Sequence, residues 1–183
     1  ENTGKTFIDQ SQLATCVAIA DSICEHQTAS ELLSAEGESE VPIQWTDPET
    51  GLSCKGLLDR VIRRYSERCI IDLKTTGLAL PHAFAKSCVD YGYHFQAAFY
   101  LWGMAENNQH CQRFIHVCVE QEPPYGIAVF ELGNKEIDQG KRLVEKYLKL
   151  YASCVASGHW PGYVDEVQPL ELPRYAFTTD GLE

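Results

Sequence analysis

Two short stretches hold the residues whose types and spacing could do chemistry. The first is Gly56-Leu57-Leu58-Asp59, and twelve residues separate it from Asp72-Leu73-Lys74. Side chains alternate between the two faces of a β-strand, so Asp72 and Lys74 share a face. If the chain reverses near Tyr65-Ser66, Asp59 and Asp72 fall opposite each other in an antiparallel hairpin. Two carboxylates and an ammonium group would then meet on one patch of sheet.

This trio is typical of a site that hydrolyses a phosphodiester. Two carboxylates hold a hard divalent cation, which keeps open positions for water and phosphate. The lysine can orient the attacking water or offset the charge that develops on the phosphate. The alternative is a solvated surface hairpin, because an acid-x-Lys triplet arises by chance about once in a chain of this length. The apolar neighbours of both aspartates favour the site, since aspartate is depleted in strands unless something binds it.

Composition indicates an ordinary globular domain of 183 residues with 44% hydrophobic and 22% charged residues. No apolar run approaches membrane-spanning length, and no secretory signal opens the chain. The eight cysteines form no C-x-x-C pair, so a zinc knuckle is disfavoured. Reduced thiols in a cytoplasmic protein are favoured over a disulfide framework.

Charge is distributed unevenly along the chain. The net charge of −11 argues against a nonspecific nucleic-acid binder. Residues 55–74, however, hold six basic and three acidic side chains, a local balance of +3. These basic groups gather around the proposed site and could admit an anionic backbone, although a solvated charged hairpin is the alternative.

Hydrophobic periodicity predicts the order of helices and strands. A helix is expected over 8–35 with a break near His26-Gln27-Thr28, and 37–39 should end it. Strands are expected at 40–45, 52–64 and 68–75, which form a meander, then helices at 81–89 and 93–106, strands at 113–119 and 127–132, and a long helix that Asn134 caps. The tail from Trp160 is expected to be irregular.

This order resembles that of the PD-(D/E)XK nuclease superfamily. The resemblance implies an α/β fold of the restriction-endonuclease type, with a central mixed (α+β) sheet flanked by helices. Four stretches resemble, more specifically, the RecE-type exonucleases known as exodeoxyribonuclease VIII. They are residues 56–62, 71–76, 91–100 and 170–175.

The resemblance extends to the site residues. Asp59 and Asp72 resemble the metal-binding acids and Lys74 the catalytic lysine, and we also assign the backbone carbonyl of Leu73 to the metal. The implied metal is Mg²⁺, with Mn²⁺ as a substitute. Gln96 and Tyr100, four residues apart on one helix face, resemble the Q-x-x-x-Y motif of RecB-like nucleases and are expected to contact DNA. The alternative for Tyr100 is core packing.

The function that the resemblance implies is an exonuclease that degrades linear double-stranded DNA from its 5′ ends. The exposed 3′ tail would serve single-strand annealing recombination, often in a phage or prophage, together with an annealing protein. A ring-shaped homotetramer is expected. An endonuclease of the restriction or junction-resolving kind, and a catalytically silent DNA-binding or assembly module, are the alternatives.

One feature departs from the family pattern. The family places a histidine metal ligand in a helical region well before the meander, and His26 is the only histidine before Asp59. The surroundings of His26, however, resemble the later helix just ahead of the first strand. The alternative to a metal ligand is therefore a partly exposed histidine at a helix end. The only methionine is Met104, so we expect residues 1–183 to be a single nuclease domain that lacks upstream helices. Glu40 could supply a further acid, or it could be a helix-exit carboxylate.

Overall fold

Five strands form one mixed sheet in a computed structural model that describes residues 7–64, 67–172 and 177. The strands are β1 (Gly37–Thr46), β2 (Ser53–Arg64), β3 (Glu67–Thr76), β4 (Arg113–Glu120) and β5 (Ile127–Glu131). Their order across the sheet is their order along the chain. Strands β3 and β4 run parallel, whereas the other neighbouring pairs run antiparallel. The predicted meander and the mixed sheet are therefore confirmed.

Five helices flank the sheet within the described part of the chain. They are α1 (Gln10–Glu25), α2 (Gln27–Ser34), α3 (Pro81–Asp90), α4 (Tyr93–Glu106) and α5 (Asn134–Ser157). The predicted break falls at His26, which has an extended backbone between α1 and α2. The N–H of Ala29 donates a hydrogen bond to its Nδ1 at 3.2 Å. His26 is thus a helix-capping residue, in agreement with its interpretation as a histidine at a helix end.

Two boundaries differ from the prediction. Residues 37–39 begin β1 instead of ending a helix, because Gly37 pairs with Ile62 of β2. The N-cap of α5 is Gly133 and not Asn134, which is already helical. The predicted turn at Tyr65-Ser66 and part of the 170–175 stretch lie outside the described residues.

Helices cover both faces of the sheet. On one face, Leu58, Ile70 and Phe114 pack against buried residues of α4 and α5. On the other face, Ile62, Ile71 and Val117 pack against Ala29 and Leu32 of α2. Strand β4 is accordingly buried on both faces from 114 to 119, as expected for a strand covered on both sides. No helix among the described residues is long and apolar enough to cross a membrane.

Candidate active site

The antiparallel pairing of β2 with β3 stops where the two aspartates lie. Paired positions run from Arg64 opposite Glu67 to Arg60 opposite Ile71. Asp59 and Asp72 are the next residues in this register, although they are not themselves paired. Strand β3 nevertheless stays paired with β4 as far as Thr76 and Glu120. We call the space between residues 57–59 of β2 and residues 72–74 of β3 the wedge.

Asp59 reaches across the wedge. Its Oδ2 accepts a hydrogen bond from the backbone N–H of Leu73 at 2.9 Å, so a side chain replaces the missing ladder bond. The N–H and C=O of one strand residue point to the same edge of the strand. The carbonyl of Leu73 therefore also faces the wedge, which supports its assignment as a metal ligand.

Asp72 is 2% exposed and is held by two side chains. The Nζ of Lys74 lies 2.6 Å from its Oδ2, and the Nδ1 of His116 lies 3.0 Å from the same oxygen. Lys74 Nζ also lies 5.0 Å from the centre of the Tyr93 ring. Among the described residues, no donor reaches the other oxygen of Asp72 or of Asp59. Each aspartate thus keeps one carboxylate oxygen for a further ligand.

The neighbouring thiols do not compete with these oxygens. Burial raises the pKa of Cys88 to about 11, although the Lys74 ammonium lowers it in part. Burial, together with Cys88 and Asp72, raises the pKa of Cys118 to about 12. Both thiols are protonated at neutral pH, and a thiol binds metal only as the thiolate. The donors available at the wedge are therefore oxygens.

The donor set fits a hard divalent cation. No group of three or more His, Cys, Asp or Glu side chains is arranged to hold a metal among the described residues. Mg²⁺ does not require such a cage, because it is usually bound through one or two carboxylates and keeps several waters or phosphate oxygens. Asp59, Asp72 and the Leu73 carbonyl meet that requirement.

His116 is a residue that sequence reasoning missed. It lies in β4 directly beside Asp72 in the parallel register. The available signal was a histidine inside the apolar run Phe-Ile-His-Val-Cys-Val, since a buried polar group needs a partner. Two strands joined through helices also favour a parallel pair, which would have brought 72 and 116 together.

Glu40 lies in β1 and not at a helix exit. Its neighbours Ser39 and Val41 pair with Arg60 and Leu58, which places Glu40 level with Asp59. Its φ of 54° is in the left-handed region, where a non-glycine residue is uncommon. Its proposed role as a further acid stays a prediction.

Tyr100 of α4 packs closely on β2 near the wedge. A Cβ atom added to Gly56 would lie 2.9 Å from the Tyr100 ring, so helix and strand approach at a glycine. Tyr100 also lines a groove of about 580 Å³ together with Pro42, Gln44, Lys55 and Leu57. The ring is therefore both packed and open to the groove. Gln96 is half-buried one turn before it.

The aromatic residues Phe99 and Trp102 of α4 pack against the core, as predicted. The rings of Phe99 and Trp102 lie 4.6 and 5.3 Å from the Trp45 ring.

The basic groups gather less closely around the site than the charge count predicted. Arg60 donates hydrogen bonds to Ser39 and to the backbone carbonyl of Ala35. Arg63 and Arg68 pair across β2 and β3, four residues along each strand from the aspartates, which is roughly 13 Å. Lys55 is the basic residue of this segment that lines the groove.

The fold and the site agree with a known family. The model of a PDDEXK-like domain of unknown function (DUF3799) matches residues 1–173. The chain belongs to this PDDEXK-like family. The expected nuclease superfamily and its fold class are thereby confirmed, whereas the narrower RecE-type resemblance stays a prediction.

A solved structure shows the same fold. An inferred exonuclease from Eubacterium rectale is 14% identical, with a TM-score of 0.67 over 93% of this chain and 67% of that chain. A phage-related exonuclease from Haemophilus somnus is 13% identical, with a TM-score of 0.49 over 85% of this chain and 77% of that chain. No curated protein matches the sequence. The PDDEXK-like domain therefore has a nuclease-like fold.

Proposed function

We propose that this PDDEXK-like domain is a Mg²⁺-dependent exonuclease that degrades linear double-stranded DNA, with 5′-to-3′ polarity. The observation that carries the proposal is the wedge, where Asp59 and Asp72 directly follow the last paired residues of β2 and β3 and Lys74 contacts Asp72 at 2.6 Å. Two acids and a lysine at the point where two strands separate are the groups that phosphodiester hydrolysis needs.

The residues of the wedge have separate roles. Asp59, Asp72 and the Leu73 carbonyl would hold the cation, which would polarise the phosphate and supply a more acidic bound water. The Nζ of Lys74 lies beside Asp72 and over the face of the Tyr93 ring. From there its ammonium group orients the attacking water and offsets negative charge on the phosphate. Mn²⁺ is expected to substitute for Mg²⁺, since it accepts the same oxygen ligands.

Gln96 and Tyr100 are proposed to contact the DNA strand. Tyr100 opens into the groove that is also lined by Lys55, Gly56 and Leu57, which lie four to two residues before Asp59. Hydrogen bonds to phosphate and sugar position a strand without reading its sequence, which suits a nonspecific exonuclease. The amide and the phenol would hold the scissile phosphate near the cation.

Digestion of end-labelled DNA tests the activity. Linear duplexes labelled at the 5′ or the 3′ end, and a closed circular duplex, are incubated with the protein in Mg²⁺ or in EDTA. We expect early release of the 5′ label, persistence of the 3′ label, an intact circle and no reaction in EDTA. Cleavage of the circle would favour the endonuclease alternative, and no cleavage at all would favour a DNA-binding module.

Aspartate variants connect that activity to the wedge. Asp59→Asn and Asp72→Asn should reduce cleavage to background, because each removes the charge of one proposed metal ligand. Asp138→Asn is the matched control, since Asp138 is exposed on α5 and contacts Lys141. If either wedge variant kept near wild-type turnover, the metal site would lie elsewhere.

The assembly belongs to the same proposal. By resemblance to the RecE-type enzymes, the protein acts in the cytoplasm as a homotetramer with a single-strand annealing protein. Light scattering of the purified protein measures the number of subunits, and a pull-down with an annealing protein tests that interaction.

A further inference from the structure

His116 is fully buried beside Asp72, and the roles proposed above do not use it. Its Nδ1 lies 3.0 Å from Oδ2 of Asp72. The rings of Phe84, Tyr93 and Phe114 surround the imidazole, with centroids 5.4, 5.7 and 5.1 Å from its own. An imidazole packed this way on three sides has little freedom to rotate.

The contacts of the ring decide which nitrogen carries the proton. An ionised carboxylate only accepts hydrogen bonds, so Nδ1 must be the donor to Asp72. The Nε2 atom is buried and has no hydrogen-bond partner among the described residues. Among the described residues, the hydrogen bond from Nδ1 to Asp72 is thus the one that holds the ring.

We propose that His116 is a positioning residue that fixes the rotation of the Asp72 carboxylate. This inference rests on the proposed metal site at the wedge. Because β3 lies between β2 and β4, a hydrogen bond from His116 on β4 draws Oδ2 away from β2. The other oxygen of Asp72 then faces β2, and thus the wedge and Asp59. Partners of this kind, which hold a ligating carboxylate, orient it for the metal.

His116 and Lys74 have different roles at Oδ2 of Asp72. Both contact Oδ2 of Asp72, the histidine by a hydrogen bond and the lysine as an ion pair. The lysine side chain is flexible and 17% exposed, whereas the histidine is fully buried. The rigid donor sets the orientation of the carboxylate, and the lysine remains available for the substrate.

Two variants of similar polarity separate positioning from packing. In His116→Asn, the amide nitrogen can occupy the place of Nδ1 and keep the hydrogen bond to Asp72. In His116→Gln, the amide nitrogen falls near the place of Nε2, and the bond is lost. We expect Mg²⁺ affinity within about 3-fold of wild type for the first and about 10-fold weaker for the second. Isothermal titration of Mg²⁺ into the full chain without DNA measures both, after circular dichroism confirms folding.

The results can overturn the inference in two ways. Wild-type Mg²⁺ affinity in His116→Gln, or equal weakening in both variants, would show that the Nδ1 donor does not position Asp72. Nitrogen-15 NMR of the unmodified protein is the second measurement, which does not depend on whether the variants fold. We expect a protonated Nδ1, and an Nδ1 without a proton would refute the hydrogen bond.

The same measurements separate this inference from the proposed nuclease. Wild-type protein that binds Mg²⁺ but leaves linear DNA intact would refute the nuclease activity, and the Asn and Gln variants would still test His116. Wild-type protein that does not bind Mg²⁺ would overturn both. Cleavage of DNA together with unchanged Mg²⁺ affinity in His116→Gln would overturn the positioning role alone.

Discussion

Of the charged side chains in the wedge, Asp72 is the one that most needs a charged or hydrogen-bonding partner. A carboxylate that is 2% exposed is stable only when it is paired, and here Lys74 and His116 both contact one of its oxygens. Asp59 is less buried and is held by a single backbone N–H. The two proposed ligands therefore differ: the first is rigid and charge-paired, and the second spans the wedge. This difference leads to a prediction about the lysine.

Lys74→Met should reduce the cleavage rate by about 10²-fold, the usual scale for the loss of one electrostatic stabiliser of the transition state. Mg²⁺ affinity should stay unchanged or become tighter, because a positive charge next to Asp72 is removed. Single-turnover cleavage and isothermal titration measure the two effects. Lys141→Met, on the exposed face of α5, is the control. A Lys74 variant that lost Mg²⁺ binding would show that the ion pair is structural.

At the scale of elements, the contact between α4 and β2 brings the groove to the wedge. Helix α4 presents Gln96 and Tyr100 one turn apart, and Gly56 lets the Tyr100 ring approach β2 closely. The groove consequently lies next to the wedge along strand β2. Changes in α4 should therefore affect cleavage more than stability.

Gln96→Ala and Tyr100→Phe should fold and bind Mg²⁺ normally but cut DNA several-fold more slowly at subsaturating DNA. The reason is the loss of hydrogen bonds that position the strand. Tyr147→Phe, which changes an exposed tyrosine of α5, is the matched control. Initial rates against DNA concentration provide the measurement. Wild-type rates in both variants would show that Tyr100 only packs in the core. The proposed site would then consist of Asp59, Asp72 and Lys74.

Gly56→Ala tests the close approach itself. The added methyl group would lie 2.9 Å from the Tyr100 ring and 3.2 Å from Ile43, so the ring must move. We expect a loss of roughly 1–3 kcal/mol in the free energy of unfolding, as for other overpacked sites, and slower cleavage. Urea unfolding followed by circular dichroism measures the first effect. Gly162→Ala, where nothing lies within 4 Å, is the control. Unchanged stability would mean that α4 and β2 can separate freely.

At the scale of the whole molecule, helices on both faces of the sheet bury five of the eight cysteines. The buried thiols are Cys54, Cys69, Cys88, Cys118 and Cys154, whereas Cys16 and Cys24 are exposed on α1. Alkylation therefore reports the integrity of the fold.

Iodoacetamide at pH 8 should modify Cys16 and Cys24 at least about 10-fold faster than Cys88 or Cys118. Only the thiolate reacts, and burial raises the pKa of Cys88 to about 11 and that of Cys118 to about 12. Both buried thiols thus remain protonated at pH 8. Peptide mass spectrometry measures the rates, and labelling in urea is the control. Equal rates in the folded protein would contradict the packing of β4 against α3.

The sequence by itself determined the local elements and the candidate acids. Periods of two and of 3.6 residues depend only on neighbours along the chain, so the strands around Asp59 and Asp72 and the helix that carries Gln96 and Tyr100 were predicted within a few residues. The antiparallel pairing of the strands that carry the two aspartates also followed, because a hairpin joins strands that are adjacent in sequence. The family match then confirmed the nuclease-like fold.

Only the tertiary structure decided how these elements meet. The wedge exists because β3 leaves β2 and continues beside β4, a choice between partners that local periodicity does not contain. The position of His116 beside Asp72, 44 residues away in sequence, depends on the same parallel pairing. The approach of Tyr100 to Gly56 depends on how closely α4 packs on β2. Contacts between distant segments are set by the packing of the whole core, because each is made only when the other elements are already in place.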